Sequence, residues 1–155
     1  MVAGSIHVGA VAPDFKAKAT NDQLISLKDF RGKWIALYFY PKAFTPGCTK
    51  ETCSLRDGYR ELQKIGVVVL GISLDSLETQ KRFKSEHRVP FELLSDEDKS
   101  ISKAYDTLGL LGLYSQRKTF IIDPTGKIAT ILNQIDTNHH DQQLLKVMKE
   151  LQGMK

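Results

Sequence analysis

The stretch Trp34-Ile35-Ala36-Leu37-Tyr38-Phe39-Tyr40-Pro41-Lys42-Ala43-Phe44-Thr45-Pro46-Gly47-Cys48-Thr49-Lys50-Glu51-Thr52-Cys53 decides how the chain is read. Its first seven residues form an apolar run long enough for a buried strand, and the residues after Cys48 carry helical spacing. Cys48 therefore lies where a strand hands over to a helix. Pro41, Pro46 and Gly47 force a turn there, and Thr45, just ahead of Cys48, is placed to cap or open the first helical turn. A thiol at a helix N-terminus meets the positive end of the helix dipole and several unpaired backbone N–H groups, and both favour thiolate over thiol. A free cysteine is more often a small buried hydrophobe. What sets this one apart is its place at a strand end, where open α/β sheets tend to hold their ligands.

Working outward, the helix begun near Cys48 carries Leu55, Tyr59 and Leu62 on one side. It closes at Lys64-Ile65-Gly66 with a basic last turn and a terminal glycine. Val67 to Ser73 is apolar throughout, as parallel strands covered on both faces tend to be. Asp75 with Glu78 resembles a capping box for a helix running to His87, which Val89-Pro90 ends. Phe91 to Leu94 is a short apolar piece, and Ile101, Ala104, Tyr105 and Leu108 mark another helix. Gly109 to Ser115 is an apolar loop, expected to line an entrance to the site, to touch a second copy, or to take part in ordinary packing. Thr119–Asp123 and Lys127–Leu132 flank the turn Asp123-Pro124-Thr125-Gly126 and form an antiparallel hairpin. Leu144, Leu145, Met148 and Leu151 face one side of a last helix. Upstream, Asp14 to Ala19 reads as an edge strand and Leu24 to Leu27 as its return. The order implies a mixed sheet with helices on both faces, within one domain spanning residues 1–155.

The 155 residues include 41% hydrophobic ones, enough for one real core. The net charge of +4 arises from bases interspersed with acids, which argues against nucleic-acid binding. Met1 to Ala12 lacks the pattern of a signal peptide, and no run approaches the ~18 apolar residues of a membrane span. The expectation is a cytoplasmic protein without membrane contact, with a trimmed organellar transit peptide as the alternative. Reducing conditions would return both cysteines to thiols between turnovers.

Cys48 and Cys53 are five residues apart. On a helix that means a rotation of about 140° and a rise of about 7.5 Å, beyond the Cα separation a disulfide tolerates. If the two pair, at least the first turn must unwind, which suits a switching pair rather than a structural staple.

Pro41, Thr45 and Cys48 match the Pro-x-x-x-Thr-x-x-Cys signature of peroxiredoxins. Thr45-Pro46-Gly47-Cys48 with Cys53 five residues on resembles their bacterioferritin-comigratory-protein (PrxQ) branch. Tyr38-Phe39-Tyr40-Pro41-Lys42, Leu55-Arg56-Asp57, Gly71-Ile72-Ser73-Leu74-Asp75-Ser76, Leu93-Leu94-Ser95-Asp96 and Arg117-Lys118-Thr119-Phe120-Ile121-Ile122-Asp123 extend the likeness from about Gly9 to about Leu151. The resemblance implies a thioredoxin-like fold with an N-terminal hairpin extension and a mid-chain insertion. It also implies a peroxidase acting on hydrogen peroxide and alkyl hydroperoxides. Cys48 would be the peroxidatic cysteine and Cys53 the resolving one, forming an intramolecular disulfide reduced by thioredoxin or glutaredoxin. A monomer is expected, with no metal or organic cofactor.

Reducing a peroxide with a thiol needs a thiolate, alignment of the O–O bond, and stabilisation of the departing oxyanion. Thr45 and the backbone N–H groups near Gly47 and Cys48 offer hydrogen bonds. Arg56, Arg60, Lys42 and Arg117 could each supply positive charge. The resemblance selects Arg117, leaves Arg56 as the fallback, and gives Pro41 a shielding role. A zinc site joining both cysteines to His139-His140 is disfavoured by the spacing, and the histidines read as surface residues at a helix start. A disulfide reductase of thioredoxin type would need Cys-x-x-Cys, and a non-catalytic binding module would not need Thr45 and Arg117.

Overall fold

The computed structural model describes residues 6–153. Strands β1 (Lys16–Ala19), β2 (Leu24–Ser26), β3 (Trp34–Phe39), β4 (Val67–Ser73), β5 (Leu93–Ser95), β6 (Lys118–Ile122) and β7 (Ile128–Leu132) form one sheet in the order β2-β1-β5-β4-β3-β6-β7. Helices α1 (Pro46–Lys64), α2 (Leu77–His87), α3 (Ser100–Ala104) and α4 (His140–Leu151) connect or follow them. The β3/β4 and β4/β5 pairs are parallel, and β1/β2, β1/β5, β3/β6 and β6/β7 are antiparallel. This is the mixed sheet of a thioredoxin-like fold, with its crossover helices between the parallel strands.

Alternation along β3 divides the core, because successive strand side chains point to opposite faces. Ile35, Leu37 and Phe39 join one cluster with Leu70, Ile72, Tyr105 and Phe120. Ala36, Tyr38 and Tyr40 join the other with Cys48, Leu55, Leu62, Phe83, Leu144 and Met148. Both faces are covered, but unequally. Helices α1, α2 and α4 share the second cluster, whereas the first is roofed by short α3 and the entry segment around Phe15, Ala17, Ile25 and Leu27.

Several expectations shift at the edges. The strand expected over Asp14–Ala19 is shorter and is not an edge, since β1 sits between β2 and β5. Helix α2 is capped by Ser76, whose hydroxyl accepts from the Thr79 N–H, rather than by Asp75, whose carboxylate is engaged elsewhere. The helix expected through Leu108 stops at Ala104, where Tyr105 turns its ring into the first cluster and Asp106 takes a left-handed backbone.

Two glycines set distances that matter for the site. A Cβ on Gly71 of β4 would lie 2.7 Å from the Tyr38 ring, so the bare backbone lets Tyr38 lie across the strand and reach Thr52 of α1 at 3.0 Å. A Cβ on Gly58, midway along α1, would lie 2.5 Å from the Asp141 Cβ. A mid-helix glycine costs about 1 kcal/mol relative to alanine. Here it allows the first turn of α4 to close onto α1.

Candidate active site

Residues 40 to 48 carry the chain from the C-terminal end of β3 into α1. Tyr40 donates to the Gln80 side chain, which donates in turn to Ser73 Oγ and the Leu94 carbonyl at 2.9 Å each. Asp75 accepts from Ser73 Oγ at 2.6 Å and from the Ala43 N–H at 2.8 Å. The turn is thereby fastened to the ends of β4 and β5. Phe44 has φ of +68°, a left-handed conformation unusual for a bulky side chain. Its ring packs edge-on against Phe83, 5.1 Å between centroids, which offsets that strain.

Thr45 is the N-cap of α1 and its carbonyl accepts from the Thr49 N–H at 2.9 Å. Its hydroxyl donates to the Lys42 carbonyl at 2.7 Å and makes no hydrogen bond to sulfur. Pro46 occupies the first helical position, where its missing N–H costs nothing. Cys48 follows in the first turn, fully buried.

Arg117, just ahead of β6, reaches this sulfur. Its Nη2 donates to Cys48 Sγ at 3.3 Å and its Nη1 to Glu51 Oε1 at 2.5 Å. A Cβ on Gly47 would sit 3.0 Å from the same Nη2, so glycine clears the guanidinium's path. Burial works against the Arg117 charge, but the Glu51 carboxylate and the Cys48 sulfur more than offset it, and its pKa is raised. A planar fork presents separate N–H groups to the two acceptors at a fixed spacing, where a lysine would offer one point charge. Arg56, the alternative cation, points elsewhere: to Asp57 and to the His87 carbonyl.

Cys53 is half-buried further along α1, with Nδ1 of His87 3.9 Å from its sulfur. Both cysteines are free thiols and α1 is unbroken from Pro46 to Lys64. The structure brings Cys48 and Arg117 into contact and places Thr45 at the helix start. It holds Cys53 apart, beside α2.

Two residues of this region escaped the sequence reading. Glu51 is completely buried, and burial pushes its carboxyl up to about 7 against the pull of Arg117. His140, expected on the surface beside His139, is also fully buried, with Nε2 2.8 Å from Thr119 Oγ1 and 3.5 Å from Glu51 Oε2. His139 is the exposed one of the pair and bonds Asp136. The spacing of Glu51, an acid one turn beyond Cys48 on the same helix, was a usable signal. For His140 no local pattern could have served, because its burial depends on α4 docking against Gly58.

A buried sulfur at a helix start, hydrogen-bonded by a guanidinium and framed by a pinned turn, can hold a thiolate and draw charge from an oxygen leaving it. The Leu111, Leu113 and Tyr114 side chains of the loop before Arg117 are exposed to solvent.

The sequence matches the AhpC/TSA family over residues 8–131. Peroxiredoxin Bcp of Bacillus subtilis is 34% identical over 153 residues, 95% of this chain and 98% of that protein. Peroxiredoxin Bcp of Escherichia coli K12 is 38% identical over 151 residues, 94% of this chain and 97% of that protein. Among solved structures, a cysteine-to-serine variant of Xylella fastidiosa PrxQ superposes with a TM-score of 0.88 at 26% identity, covering 95% of this chain and 98% of that one. The bacterioferritin comigratory protein of Xanthomonas campestris, solved in trapped intermediate and ligand complexes bearing on its alkyl peroxide reduction, gives 0.85 at 27% identity, covering 96% of this chain and 98% of that one. With a family match over most of its length and full-length relatives above 30% identity, this chain belongs to the AhpC/TSA family, on its Bcp/PrxQ peroxiredoxin branch.

Proposed function

We propose that Cys48 is the peroxidatic cysteine of a two-cysteine thiol peroxidase that reduces hydrogen peroxide and alkyl hydroperoxides, with Cys53 as resolving cysteine. The observation that carries this reading is the Arg117 guanidinium 3.3 Å from a sulfur buried in the first turn of α1. The Cys48 thiolate attacks the nearer peroxide oxygen, the O–O bond breaks, and the alkoxide or hydroxide leaves to take a proton. Sulfur is oxidised to sulfenic acid. Arg117 spreads its charge over the reacting oxygens, Thr45 offers its hydroxyl oxygen to the peroxide proton, and Pro41 limits water at the sulfur.

Cys53 then attacks the Cys48 sulfenic sulfur, forming the disulfide and releasing water. An intact helix forbids that bond, so the first turns of α1 must open. Thioredoxin or glutaredoxin would reduce the exposed disulfide by thiol exchange. The working unit is taken as one domain and one copy of the chain.

Mass spectrometry of the peroxide-treated protein tests the assignment. A Cys48–Cys53 bond is expected, with sulfenic acid accumulating on Cys48 in Cys53→Ser. Oxidation that begins at Cys53 would overturn it.

A further inference from the structure

The hydrogen bonds behind Arg117 determine where protons sit. Gln143 accepts the Asp136 N–H on Oε1 at 2.9 Å and donates from Nε2 to the Gln134 carbonyl at 3.1 Å, so its amide cannot be flipped. His140 Nδ1 lies 3.0 Å from that same Oε1 and must therefore carry its hydrogen. The neutral ring then has its lone pair on Nε2. This lone pair is shared by the Thr119 hydroxyl, a free rotor, and Glu51 Oε2. Among the described residues, Glu51 Oε2 is the buried side-chain polar atom without a hydrogen-bond partner. An acceptor oxygen facing an acceptor nitrogen at 3.5 Å is an arrangement that lacks one proton.

We propose that Glu51 Oε2 and His140 Nε2 form a one-proton site behind Arg117, and that filling it turns the guanidinium's charge onto the Cys48 sulfur. Charge counting supports this. Arg117 is the cation bonded to both Cys48 and Glu51, and two buried acids ionised around one partly buried cation leave an uncompensated negative charge. A proton on the Glu51–His140 site leaves one anion for one cation, and that anion can be the thiolate.

The other groups around the site fit this count. Tyr38 of β3 is held neutral by burial, with Tyr40 and Glu51 adding to the effect. Thr119 of β6 is uncharged, and Asp141 and Asp136 act on the imidazole in the sense opposite to burial. Burial holds the imidazole itself down to about 4, so the shared proton favours the carboxyl. When peroxide consumes the thiolate, sulfur becomes neutral sulfenic acid, and the reason for Glu51 to keep its proton is gone. The proton becomes available to balance the departing alkoxide.

Glu51 and His140 are on this account positioning residues, and the inference rests on the role proposed for Cys48. Carbon-13 NMR of carboxyl-labelled glutamate in the reduced protein tests it without turnover, the Glu51 resonance being identified by its loss in Glu51→Gln. Its midpoint is expected near 7. In Cys48→Ser the competing anion is gone, and in His140→Gln an amide N–H can donate to ionised Oε2. Each should lower the midpoint by about one unit, a tenfold change in proton affinity. A wild-type midpoint at the ordinary carboxylate value, or a midpoint unmoved in both variants, would overturn the proposal. Residual peroxidase activity in Cys48→Ser would instead overturn the cysteine assignment and leave the titration standing.

Discussion

The two cysteines share one helix five residues apart, yet their surroundings differ in kind. Cys48 is fully buried, bonded by Arg117, and approached by a turn pinned through Asp75, Ser73 and Gln80. Cys53 is partly exposed, with a histidine at the limit of hydrogen-bond reach, and the nearby Arg56 guanidinium gives its hydrogen bonds to Asp57 and the His87 carbonyl. In the peroxidatic role proposed for it, Cys48 reacts first, and it is held in a finished site. In the resolving role proposed for it, Cys53 must travel to Cys48, and each contact it makes in the starting state has to be broken before the helix opens. The division of labour proposed for this thiol peroxidase rests on these environments, because the residue type alone would not distinguish the two sulfurs.

Exchanging the sulfurs puts that contrast to its hardest test. Cys48→Ser should reduce peroxide consumption to background in a stopped-flow assay. Cys53→Ser should keep the first turnover and lose cycling with thioredoxin. Equal loss of the first turnover in both would erase the distinction.

Arg117→Lys keeps the charge but replaces the fork with a single point. A drop of about 100-fold in the second-order rate with peroxide is expected, with little change in the alkylation of Cys53 by iodoacetamide. A milder version is Gly47→Ala, whose Cβ would press on Nη2 from 3.0 Å. Displacing the guanidinium by a few tenths of an ångström should cost roughly tenfold in the same rate. An unchanged rate would mean that the Arg117 contact does not matter.

The smallest effects concern the buried acid and imidazole beside Cys48, and they are read in stability. Glu51 is raised to about 7 in the fold, above ~4.3 when unfolded. Its contribution is therefore full at low pH and lost as pH rises through that interval. His140 is lowered to about 4, below ~6.5 when unfolded. Its contribution is full at high pH and lost as pH falls. Between ~4.5 and ~6.5 the pair holds one proton in both states, on the carboxyl when folded and on the imidazole when unfolded, so the slopes cancel. Relative to wild type, Glu51→Gln should lose melting temperature as pH falls from 6.5 toward 4, and His140→Gln as pH rises from 4.5 toward 7. Parallel slopes in the two variants would show that the groups do not act as a pair.

The strand-turn-helix that presents Cys48 is legible without coordinates, since an apolar run, two prolines, a glycine and helical spacing are local signals. The hairpin around Asp123-Pro124-Thr125-Gly126 is legible for the same reason. Selecting Arg117 over Arg56 needed the family likeness, because a charged side chain has no periodicity that says where it points. It takes the packed chain to show that Asp75 holds the Ala43 turn instead of capping α2, and that His140 rather than His139 goes inside. Both depend on elements distant in sequence: Asp75 bonds a turn 32 residues away, and His140 is carried to Glu51 because Gly58 lets α4 approach α1. Local patterns record what a segment does with its own backbone. Contacts between segments depend on how closely two surfaces can meet, and that is fixed only when the whole chain packs.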